Sequence, residues 1–422
     1  MGIPRQRIHM PPGAWRLSLA SLIGGKLWDG EAIAAFESAF AAAVGSRHAI
    51  VTPSGRAALW SILTGLGLKP GDEVICPAYG YPVVPHVVRS MGFNLRLVDC
   101  ELGSFGIDPA ALAEAATDQT RAIVAMHLFG VPSQIREICE IASARGAAII
   151  EDCAHCFRCT VGGRHVGTFG RVGYFSFETS KMINTLGGGM ITTDDDELAG
   201  KLRAELAANK QRTFGWLLER LLRTQFEALV TSPLGFNAAV YPALRLASRR
   251  QGAEERFASG YTADHFTMKG RMGKYTNLQA RLGLAQIEDK RGTSARRVQV
   301  ARRLIDRLGD RVPFQQPVDA DAQPNFMLLT GRFSKMPEVA RRLLKLGVDT
   351  KRDYMRDCCT ALEMEEKLPI AARLEREVLH IPAFPELSDR QVDRIAAAVS
   401  KVLDETGARA RDASKPTAVG AA

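Results

Sequence analysis

The stretch AAIIEDCAHCFRC, residues 147–159, carries three cysteines at a spacing of three, together with two acids and a histidine. Its apolar run ends in Glu151 and Asp152, which indicates a buried strand with acidic side chains at its carboxyl end. The cysteines also raise the possibility of a zinc site, but such a site normally needs four ligands, often from two well-separated pairs. Here His155 lies between two of the cysteines. We therefore expect no metal site and small, buried cysteine side chains.

Outward from this stretch, short apolar runs alternate with helical patterns from about residue 49. The strands are HAIV, DEVICP, NLRLVD, RAIVAMHLFG and AAIIED, and the helices between them are SGRAALWSILTGLG, PVVPHVVRSMG, DPAALAEAA and SQIREICEIASARG. This alternation predicts an α/β fold with a mostly parallel sheet. Both faces of the sheet should be covered, because the strands are continuous apolar runs. Functional groups gather at the carboxyl ends of such strands, which is where Asp152 stands.

The rest of the chain predicts two more strands and a second, smaller domain. VGYFSFETSK and GGGMITT are short strands, and TNLQARLGLAQIEDKRGTSARRVQVARRLIDRL is a long helical pattern that bridges to a smaller α+β domain. A length of 422 residues suits this organisation. We expect four regions: an N-terminal arm (1–29), a large domain (30–290) with an insertion around 200–260, a small C-terminal domain (291–407) and a disordered tail (408–422).

Composition limits the class of partner and the compartment. The net charge is +9, but the basic residues are dispersed and no nucleic-acid-binding motif is present, so we expect no nucleic acid partner. Eight cysteines in a chain of this length indicate no secreted disulfide framework. The N-terminus lacks the long apolar core of a signal peptide. We therefore expect a cytoplasmic protein.

The segment FSFETSKMINTLGGGMITT, residues 175–193, holds Lys181 between a Ser/Thr-rich turn and three glycines. A lone loop lysine is usually a surface residue, but one held in a pocket can form a Schiff base with an aldehyde. Three features favour that function. TPSGRAAL presents backbone N–H groups at a helix start, which suits a phosphate. Asp152 can pair with the ring nitrogen of pyridoxal phosphate. Tyr79 or Tyr81, in CPAYGYP, can lie flat on an aromatic cofactor.

The order and spacing of six motifs extend this interpretation. They are SGRAAL, PGDEVICPAYGYP, MHLFG, IIEDCAH, VGTFGRVGYFSFETSK and GGGMITT. Together they resemble the DegT family of pyridoxal-phosphate-dependent nucleotide-sugar aminotransferases, over about residues 30–400. The resemblance implies the type I fold of these enzymes, with a large, seven-stranded, mostly parallel sheet domain and a smaller C-terminal α+β domain. It also implies a homodimer with active sites shared across the interface.

The resemblance assigns roles to single residues. Lys181 matches the lysine that bonds to the cofactor and shuttles the proton, which makes it the catalytic residue. Asp152 matches the partner of the pyridinium nitrogen, and His155 matches the Gln/His position beside the cofactor.

The remaining assignments concern the phosphate and the ring of the cofactor. Ser176 matches a phosphate-contacting serine, Gly55 and Arg56 match the phosphate turn, and Tyr81 matches the aromatic residue stacked on the ring. The family usually has threonine at the position of Arg56 and asparagine at the position of Met182. These departures bear on phosphate binding and on the substrate, and leave the lysine and aspartate pair intact.

These residues predict a pyridoxal-phosphate-dependent aminotransferase that moves an amino group from glutamate to a keto-sugar nucleotide. Three alternatives stay open at this stage. The acceptor is a lipid-linked or other non-sugar carbonyl, the protein is a non-catalytic sensor that binds the cofactor, or it is a metal- or cluster-binding protein built on the cysteine run.

The insertion holds an amphipathic helix, FGWLLERLLRTQFEALV, residues 214–230. One helical face is predicted to carry Leu218, Leu221, Leu222, Phe226 and Leu229. The flanking basic residues are Arg220, Arg223, Arg245, Arg249 and Arg250. Residues 228–244 carry no charge, but their prolines and asparagine argue against a spanning helix. The segment either packs on the enzyme or its partner copy, or residues 214–250 make a peripheral membrane contact.

Overall fold

The computed structural model describes residues 1–248 and 273–408. Its strands are, in chain order, β1 (His48–Thr52), β2 (Glu73–Pro77), β3 (Tyr79–Gly80), β4 (Asn94–Val98), β5 (Thr120–Met126), β6 (Ala148–Asp152), β7 (Thr160–Val161), β8 (Arg164–His165), β9 (Val172–Ser176), β10 (Gly189–Thr193), β11 (Ala322–Gln323), β12 (Leu329–Arg332), β13 (Arg356–Asp357) and β14 (Val378–Ile381). Seven of them form the central sheet in the order β1–β10–β9–β6–β5–β2–β4. Only β10 runs antiparallel to its neighbours in this sheet. The predicted seven-stranded, mostly parallel sheet is confirmed.

The helices connect these strands and cover the sheet. They are α1 (Ala14–Ile23), α2 (Ala32–Val44), α3 (Gly55–Gly65), α4 (Val83–Ser90), α5 (Pro109–Ala115), α6 (Ile135–Ala144), α7 (Asp196–Ala207), α8 (Phe214–Val230), α9 (Pro233–Gly235), α10 (Tyr241–Ala247), α11 (Asn277–Leu284), α12 (Thr293–Leu308), α13 (Met336–Lys345), α14 (Cys358–Ala361), α15 (Pro369–Glu377) and α16 (Asp389–Thr406). Ser54 caps α3, as its sequence predicts, because its side chain accepts a hydrogen bond from the backbone N–H of Ala57.

The apolar strands are buried on both faces, as their composition predicts. In β2, Val74 and Cys76 face one apolar core, and Ile75 faces the other. Helices α3, α4 and α7 cover the first face, while α2, α5 and α6 cover the second. This alternation explains why the middle positions of these strands are mostly apolar, while the polar residues stand mainly at the strand ends.

A third core lies around α12, α13, α16 and the antiparallel pair β12–β14. The N-terminal segment belongs to this core, since Ile3 is buried in it and pairs with Val348. Ala408, which the sequence assigned to a disordered tail, is also buried here. Residues 409–422 lie outside the described part of the chain. The four-region division remains a prediction.

The long helical pattern of residues 276–308 is interrupted in the structure. It forms two helices, α11 and α12, because Asp289 and Gly292 both adopt positive φ angles (46° and 63°). The Asp289 carboxylate then accepts hydrogen bonds from the backbone N–H groups of Thr293 and Ser294, which starts the second helix. A helical period alone does not reveal such a break.

The amphipathic helix of the insertion is α8, with the bounds that its sequence predicts, but the predicted apolar face is only partly buried. Leu221 packs inward together with Leu217, while the other predicted members of the face are exposed: Leu218, Leu222, Phe226 and Leu229. Arg249 and Arg250 lie outside the described residues. Within residues 1–248 and 273–408, no helix combines the length and apolarity needed to cross a bilayer.

Candidate active site

A cavity of about 560 Å³ opens at the carboxyl ends of β5, β6 and β9. It brings together all of the residues that the sequence singles out for the site: Gly55, Arg56, Tyr81, Asp152, His155, Ser176 and Lys181. The crossover connections of the parallel sheet place these separate segments at one edge. The roles of the individual residues remain predictions.

Lys181 projects from the loop between β9 and β10. Its backbone N–H donates to the carbonyl of Glu178, which holds the turn, and its Nζ donates to the hydroxyl of Tyr354 at 3.3 Å. The side chain is half-buried. The amine therefore lines the cavity and, in the part of the chain that the structure describes, donates a hydrogen bond to Tyr354, an arrangement that suits a nucleophile.

Asp152 is the last residue of β6 and is buried at the floor of the cavity. Its carboxylate accepts hydrogen bonds from the Tyr174 hydroxyl at 2.6 Å and from the Ala154 N–H at 2.9 Å. The register of β6 with β9 pairs Asp152 directly with Tyr174. Burial raises the pKa of Asp152, although these hydrogen bonds and the charge of Lys181 oppose the shift. A cation at the cavity side would favour the ionised carboxylate.

The start of α3 forms the opposite wall. Its N-terminus brings Gly55 and Arg56 beside Ser176, so N–H groups, a guanidinium and a hydroxyl converge on one region. Gly189 permits this approach: a Cβ there would lie 2.5 Å from the Phe175 carbonyl oxygen and 3.1 Å from the Gly55 nitrogen. A larger residue at position 189 would collide with β9 at Phe175 and crowd the start of α3 at Gly55.

The aromatic residues separate into core and cavity positions. Tyr79 is buried in the core, with its ring 6.3 Å from that of Phe105, whereas Tyr81 lines the cavity. His155 lies between the rings of Phe129 and Tyr354, at 5.8 and 5.7 Å. Its Nδ1 accepts from the Phe129 N–H, and burial lowers its pKa well below the usual range. The imidazole is therefore neutral.

Sequence reasoning missed Tyr354 and Lys351. The Lys351 Nζ lies 3.8 Å from the centre of the Tyr354 ring. Burial acts to raise the pKa of Tyr354, but the charges of Lys181 and Lys351 outweigh it and the net shift is downward. Both residues belong to an irregular segment without any local pattern, so only the tertiary fold reveals them. The sequence also gave no sign that Arg220 and Arg223 of α8 belong to the site, although both line the cavity.

The cysteine run lies behind the cavity, in the core between the sheet and α2. The thiol of Cys156 donates to the carbonyl of His127, and that of Cys159 donates to the carbonyl of Gly130. Among the residues that the structure describes, the group of possible metal ligands is His127, Glu151 and Cys153. Glu151 already accepts from the N–H groups of Gly167 and Gly170 at 2.7 Å and lies 3.1 Å from His127 Nε2. These interactions serve the fold.

The residues present fit pyridoxal phosphate. Lys181 offers an amine for its aldehyde, buried Asp152 offers an acid for its ring nitrogen, and the start of α3 offers an anion cradle. The cavity volume is also in the range of small-molecule sites.

Comparisons with known proteins agree with this arrangement. Residues 17–400 match the model of the DegT/DnrJ/EryC1/StrS aminotransferase family. The chain is similar to GDP-perosamine synthase of Caulobacter vibrioides, with 31% identity over 89% of the chain and 91% of that protein. It is 27% identical to a UDP-N-acetyl-3-dehydro-α-D-glucosamine 3-aminotransferase of Acidithiobacillus ferrooxidans, over 87% and 88%. The solved structure of DesV from S. venezuelae has a TM-score of 0.73 and 26% identity, over 95% and 98%.

Proposed function

Because the chain belongs to the DegT/DnrJ/EryC1/StrS aminotransferase family and is a pyridoxal-phosphate-dependent aminotransferase, we propose that it moves an amino group from glutamate to a keto sugar carried by a nucleotide. Two similar proteins have names that refer to nucleotide sugars, and both are covered over most of their length. The observation that supports the proposal best is the cavity that unites Lys181, Asp152 and the start of α3. We place this reaction in the cytoplasm.

When bound, pyridoxal phosphate would supply an electron sink for the transfer of the amino group. Lys181 would hold the cofactor through its amine and would move a proton to or from the substrate carbon. Asp152 would keep the ring nitrogen protonated, and Tyr174 orients its carboxylate through the 2.6 Å hydrogen bond. Tyr354 holds the free amine of Lys181 in position through its hydroxyl.

The other predicted residues would bind the phosphate of the cofactor and orient its ring. Gly55, Arg56 and Ser176 would hold the phosphate at the positive end of the α3 dipole. Tyr81 would lie against the ring, and neutral His155 would lie beside it without adding charge next to Lys181.

The proposal is tested by spectroscopy in two half-reactions. The purified holoenzyme should absorb near ~420 nm through the bond between Lys181 and the cofactor. Glutamate should move this band to shorter wavelength, and a keto-sugar nucleotide added afterwards should restore it. A protein that binds the cofactor but does not respond to any amino donor would instead be the sensor that the sequence left open.

We further propose that a second copy of the chain covers an exposed apolar surface made by α1 and residues 214–247. Eleven of the thirteen large apolar side chains exposed in the described part of the chain lie there. The two segments pack together, and Trp15 donates a hydrogen bond to Gln225 between them. A patch of this kind marks an interaction site.

The charges on this surface favour a protein partner over a membrane. A helix that lies on a membrane presents free basic residues to the lipid. In α8, however, Arg220 forms an ion pair with Glu178, and Arg223 forms one with Glu227. Both arginines also line the active-site cavity. A second copy seated on α8 would therefore lie close to the active-site cavity. Membrane contact is the alternative, and vesicle sedimentation tests it.

A further inference from the structure

One arginine of α8, Arg220, joins the two ends of the loop that carries Lys181. Its guanidinium forms an ion pair with Glu178 near the start of the loop. Its Nε donates a hydrogen bond at 2.7 Å to the carbonyl of Leu186 near the end of the loop. The arginine side chain is only 13% exposed, so water competes little for these interactions. Arg220 therefore ties the start of the loop to its end through two charged hydrogen bonds, which are among the stronger polar interactions in proteins.

The backbone at the end of the loop allows this close approach of α8. Gly187 has a φ angle of 112°, and a Cβ at this position would lie 3.2 Å from Nη2 of Arg220. Leu186 also has a positive φ angle, 64°, which is uncommon for a residue with a bulky side chain. Its side chain is buried in one apolar cluster with Leu217 and Leu221 of α8. Such a backbone conformation persists where the surrounding packing holds it, and here that packing comes from α8.

The part of the loop that contains Lys181 is less buried than the rest and also contacts α8. Residues 178–182 are partly or fully exposed, whereas residues 183–188 are buried. The turn before Lys181 is closed by its N–H, which donates to the Glu178 carbonyl at 2.9 Å. Next to it, the hydroxyl of Thr179 donates to the carboxylate of Glu227 in α8 at 2.9 Å. Two successive residues of this turn are thus held by side chains of one helix.

The residues at the start of α8 extend the contact to the phosphate turn. The Nη2 of Arg212 donates to the Pro53 carbonyl at 3.1 Å. The guanidinium of Arg212 lies 3.8 Å from the centre of the Trp216 ring, in the first turn of α8. Pro53 directly precedes Ser54, the N-cap of α3. The α8 segment therefore contacts both parts of the chain that are predicted to bind the cofactor.

We propose that α8 sets the position of Lys181 relative to the phosphate turn, with Arg220 as the positioning residue. The inference rests on the proposed function, in which the Lys181 nitrogen forms a C=N bond with the aldehyde carbon of the cofactor. The aldehyde oxygen and two protons of the amine leave as water. This reaction needs a narrow approach geometry, and a displacement of about 1 Å can lower a rate by about a hundredfold. Arg220 acts through Glu178 and Leu186.

The first measurement needs no cofactor. Hydrogen exchange of the full chain, followed by mass spectrometry, reports the opening of the loop in peptides that cover residues 177–188. In Arg220→Gln these peptides should exchange about tenfold faster or more than in the wild type, because the charged hydrogen bonds that join the ends of the loop are lost. Peptides from α8 show in the same experiment whether the helix itself still forms.

The second measurement is the rate at which Lys181 bonds to added cofactor, read as the growth of absorbance near ~420 nm. Arg220→Gln should lower this rate constant by about tenfold to a hundredfold, since the amine is less well placed. The matched control is Arg171→Gln. Arg171 also pairs with a carboxylate, that of Asp195 at 2.9 Å, but it precedes the opposite end of β9. This variant should match the wild type in both measurements.

A conservative variant separates the two contacts of the arginine. Arg220→Lys keeps a charge for Glu178 but loses the Nε donor to Leu186, so both of its values should fall between those of the wild type and Arg220→Gln. It also serves if the glutamine variant does not fold. Glu178→Gln should slow the bonding of the cofactor as well, and its effect should not add fully to that of Arg220→Gln, because the two residues form one interaction.

The outcomes distinguish positioning from a contribution to stability alone. Faster loop exchange together with slower bonding of the cofactor supports the proposal. Faster loop exchange with a wild-type bonding rate would mean that Arg220 only stabilises the fold, and wild-type values of both would also overturn the proposal. The glutamate half-reaction is read separately. Its failure in a wild type that bonds the cofactor at Lys181 would reject the proposed function alone.

Discussion

At the scale of the residue, the site combines a few buried polar groups whose environments differ. Asp152 is buried at the end of a strand and receives hydrogen bonds from Tyr174 and Ala154. Lys181 is half-buried and donates to Tyr354. Burial makes each of these interactions stronger than it would be in water. Single substitutions should therefore have large and separable effects.

Replacing Lys181 by alanine should abolish covalent attachment of the cofactor. The wild type treated with borohydride should gain the mass of the reduced cofactor on Lys181, because the amine bonds to the aldehyde. The alanine variant should gain nothing when both proteins are analysed by peptide mass spectrometry. A cofactor fixed to another lysine of the variant would show that Lys181 is misassigned.

Asp152→Asn should retain the fold and lose most of the transaminase activity. The ring nitrogen would then lack an acidic partner, and electrostatic contributions of this kind are typically ~3–4 kcal/mol, or roughly 10²–10³ in rate. Rates of the glutamate half-reaction measure the loss, and circular dichroism checks the fold. Turnover within a few-fold of the wild type would mean that another acid serves the ring.

His165 should make stability depend on pH. Its Nε2 accepts from the Arg158 N–H, and burial lowers its pKa to about 4, against ~6.5 for a free histidine. The unfolded chain therefore binds a proton that the folded chain does not, and stability present above pH ~6.5 is lost as the pH falls toward 4. The full difference is about 3 kcal/mol.

The measurement for His165 is the urea midpoint at pH 7.5 and at pH 5. His165→Gln cannot titrate in this range, so its midpoint should decline less than that of the wild type. Equal declines in the two proteins would assign the pH dependence to other groups, among them the buried His155 and His380, whose pKa values are also lowered by burial.

At the scale of the element, α8 shows that an amphipathic pattern does not specify its own partner. The helix buries Leu217 and Leu221 against α1 and α11, and leaves the stripe of Leu218, Leu222 and Phe226 exposed. This stripe forms the centre of the surface that we assign to a second copy of the chain.

Changing Leu218, Leu222 and Phe226 together to serine should convert a dimer to a monomer. Each buried leucine or phenylalanine contributes roughly 1.5–3 kcal/mol, so the loss of three should raise the dissociation constant by about a thousandfold or more. Analytical ultracentrifugation measures the mass. Val318→Ser, an exposed apolar change elsewhere on the chain, is the control and should leave the dimer unchanged.

Vesicle sedimentation distinguishes a membrane from a second copy of the chain as the partner of this surface. Anionic and neutral vesicles are mixed with the wild type and the triple variant at low and high salt. Negligible pelleting under all conditions agrees with a protein partner. Salt-sensitive pelleting with anionic vesicles that the triple variant loses would assign the surface to a membrane, because exposed charges are screened over ~8 Å at physiological ionic strength.

At the scale of the whole molecule, the first residues tie the N-terminal segment to the core around β12 and β14. Ile3 is 1% exposed and pairs with Val348, and Arg5 forms an ion pair with Asp349 at 2.7 Å. Through Arg7, the same segment lines a cavity of about 580 Å³ that lies beside the active site. Its position therefore connects the stability of the smaller core to the shape of that cavity.

Ile3→Ala should lower the free energy of unfolding by about 2–5 kcal/mol, the usual cost of removing a buried isoleucine. Val318→Ala, in which the side chain is 49% exposed, should change it by less than ~0.5 kcal/mol. Urea unfolding followed by tryptophan fluorescence measures both. Equal stability of the two variants would show that the N-terminal segment does not contribute to the core.

The sequence by itself predicted the seven-stranded, mostly parallel sheet and singled out Lys181 and Asp152 for the active site. Continuous apolar runs predicted buried strands, because a strand covered on both faces has little use for polar residues. Glu151 and Asp152 at the end of such a run, and Lys181 between a turn and three glycines, pointed to one edge of the sheet. Local patterns can reveal these features since each depends on residues close together in the chain.

Only the tertiary structure showed the contacts between residues that lie far apart in the chain. Tyr354 reaches Lys181 across 173 positions of the chain, and no local pattern indicates that meeting. The period of α8 showed an apolar face but not which part of it would be buried, because that depends on where α1 and α11 pack. The same holds for Arg7 and Arg297, which line one cavity only because the N-terminal segment and α12 pack beside each other. Packing between distant segments, rather than local propensity, fixes these positions.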